Sequence, residues 1–138
     1  MIAHSEWKQG EVFEGIAENG NTITFDANSA HEHGPSPMEA VLMALCACTS
    51  VDVVSILQKK RQVLTGLRVS AAAARAETSP SVFTHIKLTY AVRGKLSRKA
   101  VEDAVSLSKN KYCSVSKMLE KAATLEYEIV YPDGEPEP

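Results

Sequence analysis

The sequence predicts an α+β fold in the order βββ–α–ββ–α–α–β. Three observations carry that expectation. The chain opens with short alternating runs broken by Gly and Asn. One long helical stretch with almost no charge follows. A second pair of alternating runs, two short helical patterns and a last alternating run complete it, so antiparallel hairpins outnumber any parallel crossover.

Residues 2–25 hold the first strands, among them Glu11-Val12-Phe13-Glu14-Gly15-Ile16 and Asn21-Thr22-Ile23-Thr24-Phe25. Gly10 and Asn19-Gly20 supply turns, because both residue types accept positive φ at low cost. Residues 26–36 read as a loop. Ser36 then resembles a helix N-cap, with Pro37 at the first helical position and Glu39 placed to close a capping box. The helix is predicted from Pro37 to about Lys60. From Ala40 to Leu57 its only ionisable side chain other than cysteine is Asp52, and Thr49, Ser50 and Ser55 are small enough to bond back to the helix. A helix apolar on every face is expected to be buried on every face, most easily against a second copy of itself. An obligate homodimer is the expectation.

Beyond Lys59-Lys60-Arg61 and Gly66, Leu67, Val69, Ala71 and Ala73 alternate with Arg68, Ser70 and Ala72. After a turn around Thr78-Ser79-Pro80, Val82, Thr84, Ile86, Leu88, Tyr90 and Val92 form one face of a strand, with His85, Lys87 and Arg93 on the other. A long hairpin follows from the two runs. Ser97 reads as the N-cap of an amphipathic helix carrying Ala100, Ala104, Val105, Leu107 and Ser108. A second short helix starts near Cys113 or Ser114 and covers Val115, Met118, Leu119 and Ala122. Leu125, Tyr127, Ile129 and Tyr131 mark the last strand. One domain over 1–132 and a disordered, solvated tail from Asp133 to Pro138 are expected.

With 138 residues, 44% hydrophobic and 23% charged, the chain has the composition of one soluble globular domain. A formal charge of −2 argues against general attraction to nucleic acid or to anionic membrane. No stretch reads as the roughly 20 apolar residues of a bilayer span, and Met1 to Gly10 lacks the apolar core of a secretory signal. A cytoplasmic location without cofactor, nucleic-acid or membrane partner is the expectation. Thiols stay reduced there, so three cysteines read as buried or reactive groups rather than a disulfide framework.

Cys46 reads as a small buried hydrophobe. Cys48 precedes Asp52 by one helical turn. A lone acid on an apolar helix marks a polar notch, or else meets a cation such as Arg61, Arg68 or Arg75 from a neighbouring strand or subunit. Cys113 lies at a helix start with Lys109, Lys111 and Lys117 nearby, a setting that lowers a thiol pKa, although a cap-adjacent core residue is the plainer reading. His31-Glu32-His33 could ligate a metal but reads as a solvated turn.

Taken together, Gly34-Pro35-Ser36-Pro37-Met38-Glu39, the helix through Cys48-Thr49-Ser50-Val51-Asp52-Val53-Val54, and Tyr112-Cys113-Ser114-Val115-Ser116 resemble the OsmC/Ohr superfamily. The runs Ser36 to Glu39 and Asp52-Val53-Val54-Ser55-Ile56-Leu57-Gln58-Lys59 are similar to its YhfA-like branch, and the likeness extends from Trp7 to about Tyr131. The resemblance implies an OsmC-like fold: an intertwined homodimer with long central helices wrapped by antiparallel sheets and pockets at the dimer interface. It implies thiol-dependent reduction of organic hydroperoxides. Cys48 matches the cysteine that attacks the peroxide, and Cys113 the one that then closes a disulfide for a dithiol reductant to reopen. An apolar substrate pocket lined by residues such as Val41, Leu45 or Met118 goes with that reading.

The chain departs from the pattern at three places. No Arg precedes Arg61, leaving Lys8 as the Lys or Arg of the first strands, with His4 and the pair His31, His33 as further possibilities. Met38 follows Pro37, and Glu39 stands one position later, rotated by roughly 100°. Ser114 replaces a Pro. Glu39, Asp52 and Lys8 are therefore expected as pocket or supporting residues. The competing expectation is a family member that binds a small apolar molecule in the same pocket without peroxidase chemistry.

Overall fold

The computed structural model describes residues 1–138. It divides into two compact units, Met1–Met43 and Ala44–Pro138, with one continuous helix beginning in the first and ending in the second.

The first unit is a three-stranded antiparallel meander of β1 (Ala3–Gln9), β2 (Val12–Ala17) and β3 (Thr22–Asp26), in the order β1-β2-β3. Its only buried side chain is Asp26, which organises the loop that follows. The Asn28 N–H donates to Asp26 Oδ1 at 2.9 Å, and the His33 N–H to Oδ2 at 3.2 Å. The Asn28 bond leads in holding this carboxyl below its usual pKa, against the opposing effect of desolvation. A Cβ at Gly34 would lie 2.2 Å from the Thr24 carbonyl oxygen, so the returning loop passes too close to β3 for any other residue. Trp7 is 70% exposed, and Ile2 and Ile23 are exposed as well, so the sheet has no hydrophobic core within its own unit.

The helix α1 runs Pro37–Lys59 and starts as its capping residues dictate. The Glu39 N–H donates to Ser36 Oγ at 3.1 Å, and the Ser36 N–H donates back to Glu39 Oε1 at 3.0 Å. Two expectations about this helix are corrected. Within one chain it is not buried all round: Leu45, Thr49, Val53 and Leu57 form a single buried stripe at a four-residue interval, while Met43 and Val51 are exposed. Its 23 residues are also long and apolar enough to cross a bilayer by length and composition, because small residues between the large ones keep the whole stretch apolar.

In the second unit, β4 (Val63–Arg75) and β5 (Phe83–Lys95) form the long antiparallel hairpin, followed by α2 (Arg98–Leu107), α3 (Ser114–Leu119) and β6 (Thr124–Val130). β6 pairs with β5 in parallel, so this sheet is mixed and not purely antiparallel as expected. The two helices form a crossover that returns the chain in the same direction. Ile86, Leu88, Tyr90 and Val92 are buried in alternation. The alternation reverses at the start of β5, where Phe83 is buried and Val82 exposed, because the register shifts between Ala74 and Arg75. Ser97 Oγ accepts from the Ala100 N–H as the N-cap of α2. Between α2 and α3 lies a turn of π-helix, Ser108–Tyr112, that the amphipathic pattern did not indicate. Residues 133–138, expected to be disordered, make specific contacts in the structure. The Arg98 N–H donates to the Glu137 carbonyl at 2.8 Å, and Arg93 and Arg98 pair with Asp133 and Glu135.

Gly94 has φ of +132°, and a Cβ there would lie 2.1 Å from the Val63 carbonyl oxygen. Gly20 has φ of +93° but nothing within 4 Å of such a Cβ. Urea denaturation should show Gly94→Ala losing about 3 kcal/mol and Gly20→Ala about 1 kcal/mol. Equal losses would contradict the close backbone approach at Gly94.

Candidate functional site

The site grows from the face of α1 that includes Cys48, Thr49 and Asp52. Thr49 occupies the buried stripe between Leu45 and Val53, where a hydroxyl requires a partner. It finds two: Thr49 Oγ1 lies 2.7 Å from the Tyr90 hydroxyl and 2.8 Å from Ser108 Oγ. Ser108 Oγ in turn donates to Asp52 Oδ2 at 2.7 Å. Each hydroxyl has one proton, so the order is forced while Asp52 is ionised. Ser108 gives its proton to Asp52, Thr49 gives to Ser108, and Tyr90 gives to Thr49. The chain joins β5, α1 and the π-turn. Burial is the main cause that pushes the Tyr90 phenol above its ordinary pKa, and the Thr49 bond opposes it.

The same π-turn places Cys113. Its N–H donates to the Ser108 carbonyl at 2.9 Å, and the residue then caps α3, its Sγ accepting from the Ser116 N–H at 3.4 Å. Cys113 is fully buried and Cys48 half-buried, and Cys48 is near enough to bear on the protonation of Cys113. Burial drives the Cys113 thiol above its ordinary pKa, with the neighbouring Cys48 adding to the rise and the Ser116 bonds opposing it.

That outcome corrects the expected depression at Cys113. The lysines are engaged elsewhere: Lys109 Nζ sits 4.4 Å from the Tyr127 ring centroid, Lys111 Nζ 5.3 Å from that of Tyr112, and Lys117 pairs with Glu120 at 3.2 Å. Burial therefore dominates. Cys46 is half-buried with its pKa raised by desolvation, and its carbonyl accepts from Ser50 Oγ at 2.6 Å.

Within one chain Asp52 accepts from Ser108 and pairs with none of Arg61, Arg68 or Arg75. It borders a groove of about 480 Å³ lined in part by Val51, Ser55, Leu107 and Tyr112, with Lys59 and Lys60 at one end. Leu45 is fully buried in the core, Met118 is 64% exposed, and Val41 is half-buried.

Glu39 is occupied by its reciprocal bonds with Ser36, which lower its pKa; His31 Nε2 lies 3.8 Å away. Lys8 is exposed and pairs with Glu6 at 3.4 Å. The rings of His31 and His33 bond to the Asp26 carbonyl and carboxylate, at 2.8 and 3.3 Å. Sequence reasoning missed Thr49, Tyr90 and Ser108 as a unit. Ser50 does bond back along the helix as expected, whereas Thr49 reaches across. A threonine inside an otherwise apolar four-residue stripe was the available signal.

A profile of the family described as OsmC-like protein matches residues 30–128. Protein YhfA of Escherichia coli (strain K12) is 47% identical over 133 residues, covering 94% of this chain and 98% of that protein.

The chain belongs to the OsmC-like family.

A crystal structure of a hypothetical protein from Aquifex aeolicus superposes on this OsmC-like chain with a TM-score of 0.85 at 32% identity, covering 94% of both chains. An organic hydroperoxide resistance protein of Legionella pneumophila gives a TM-score of 0.69 at 13% identity, covering 93% of this chain and 94% of that one; this likeness is one of fold. The α+β architecture is that of OsmC and organic hydroperoxide resistance proteins.

Because its proton is held more tightly than in a free thiol, Cys113 should have a smaller thiolate fraction at pH 7 than an unperturbed cysteine. Iodoacetamide labelling followed by peptide mass spectrometry should show Cys48 modified well before Cys113. The Cys113 rate should keep rising above pH of about 8.5, where an ordinary thiol levels off. Faster labelling of Cys113 at pH 7 would contradict the assignment.

Proposed function

We propose that this OsmC-like protein reduces organic hydroperoxides with Cys48 as the attacking thiol and Cys113 as the resolving thiol. The observation that carries the reading is that a half-buried thiol lies in the neighbourhood of a fully buried one, from segments far apart in sequence. Cys113 is enclosed and Cys48 is not, so Cys48 is the member of the pair that an oxidant can reach.

In the first step Cys48 sulfur attacks one peroxide oxygen. An S–O bond forms, the O–O bond breaks, and the departing alkoxide takes a proton to become an alcohol. Cys48 is left as a sulfenic acid. In the second step Cys113 sulfur attacks Cys48 sulfur. The S–S bond forms, the S–O bond breaks, and the oxygen leaves as water with the Cys113 proton. A dithiol reductant restores both thiols by exchange. The likeness in fold to the Legionella hydroperoxide resistance protein supports this chemistry.

The proposal includes a homodimer. Val51 on α1 is exposed apolar surface that a second copy would cover, and a substrate pocket beside Cys48 would form at that interface. A cytoplasmic setting, where a reductant keeps the thiols free, belongs to the same proposal.

A second reading is a family member that binds a small apolar molecule without peroxidase chemistry. Glu39 bound to Ser36 and Lys8 paired with Glu6 favour it, since neither is left free to assist a thiolate. Stopped-flow mixing with cumene hydroperoxide and thiol counting separates the two. The peroxidase reading predicts rapid loss of two thiols per chain, and a fall of at least about 100-fold in Cys48→Ser. Equal, slow reaction of wild type and Cys48→Ser would leave only the binder.

A further inference from the structure

The buried hydroxyl chain performs no step of the proposed chemistry, yet it meets both thiol-bearing segments. Thr49 adjoins Cys48 in sequence, and Ser108 accepts the Cys113 N–H through its carbonyl. Its side chain meanwhile bonds Thr49 and Asp52. The π-turn is thus fastened to α1 at two points three residues apart, on the helix that carries Cys48. At the far end the Tyr90 hydroxyl anchors Thr49 to β5. Tyr90, Thr49 and Ser108 are all fully buried, so no water competes for these bonds. Asp52 Oδ2 terminates the chain by accepting from Ser108, which sets the direction of the donors behind it.

We infer that Thr49 and Ser108 are positioning residues that hold Cys48 opposite Cys113, with Tyr90 and Asp52 as the two anchors. The inference rests on the reading of Cys48 and Cys113 as a reacting pair. Without the chain, α1 and the π-turn lose their fixed register. The sulfurs then spend less time at bonding distance, and closure of the disulfide suffers while access to Cys48 does not. The residues act through the thiols; they do not touch the oxidant.

The test uses oxidised glutathione, so it is independent of any hydroperoxide. One glutathione disulfide and the two protein thiols give the Cys48–Cys113 disulfide and two glutathione thiols. The equilibrium yields the effective concentration of one thiol at the other. Thr49→Val and Ser108→Ala should each lower that concentration about tenfold. Thr49→Ser, which restores the hydroxyl, should stay within about twofold of wild type. Ser50→Ala removes a hydroxyl that bonds only to its own helix and should leave the value unchanged. Tyr90→Phe keeps the ring packing, so it remains measurable if a helix variant unfolds, and it should also lower the value. A purely structural role would lower unfolding midpoints without this pattern of loss and rescue. Wild-type values in Thr49→Val, Ser108→Ala or Tyr90→Phe would overturn the inference and leave the peroxidase reading standing. Failure of wild type to form the disulfide at all would overturn both.

Discussion

Three hydroxyls taken out of water must find partners among themselves, and in this chain they do so in one direction, ending on the carboxylate of Asp52. A neutral buried hydrogen bond contributes about 1 kcal/mol net, but an orphaned buried hydroxyl costs about 1–3 kcal/mol, so the set is held together chiefly by the penalty for breaking it. That constraint joins β5, α1 and the π-turn. The π-turn is an unusual element, since five-residue hydrogen bonds are rarely favoured over the α-helical pattern. Here it lets the chain leave α2 with Ser108 turned toward α1 and Cys113 seated at the start of α3.

The two thiols are made unequal by their surroundings. Cys113 is enclosed and keeps its proton; Cys48 remains within reach of solvent. An N-cap position with three nearby lysines would ordinarily favour a thiolate, yet desolvation wins because those lysines lie over tyrosine rings or pair with Glu120. The asymmetry suits a pair in which one sulfur meets the oxidant and the other closes the bond.

Much of this was legible in the residues. The capping pattern Ser36-Pro37-Glu39 marks the start of α1, the alternation from Ile86 to Val92 marks the buried face of β5, and Ser97 marks the start of α2. The parallel pairing of β6 was not legible, because alternation in Leu125, Tyr127 and Ile129 reports a face and not a direction. Nor was the π-turn, whose Ser-Lys-Asn-Lys-Tyr sequence continues a helical pattern without interruption. The environment of Cys113 escaped for a related reason: sequence proximity to lysines says nothing of where those side chains extend. Thr49 looked like a residue that would bond to its own helix, as Ser50 does, and only tertiary contact distinguishes the two.

The family assignment stands on sequence similarity along nearly the whole chain, whereas the proposed chemistry requires Cys48 and Cys113 to meet. Its most direct test is peptide mapping by mass spectrometry after one equivalent of cumene hydroperoxide per chain. The account predicts a disulfide-linked pair of peptides carrying Cys48 and Cys113, with Cys46 still a free thiol. A disulfide that includes Cys46, or three unmodified cysteines, would contradict it.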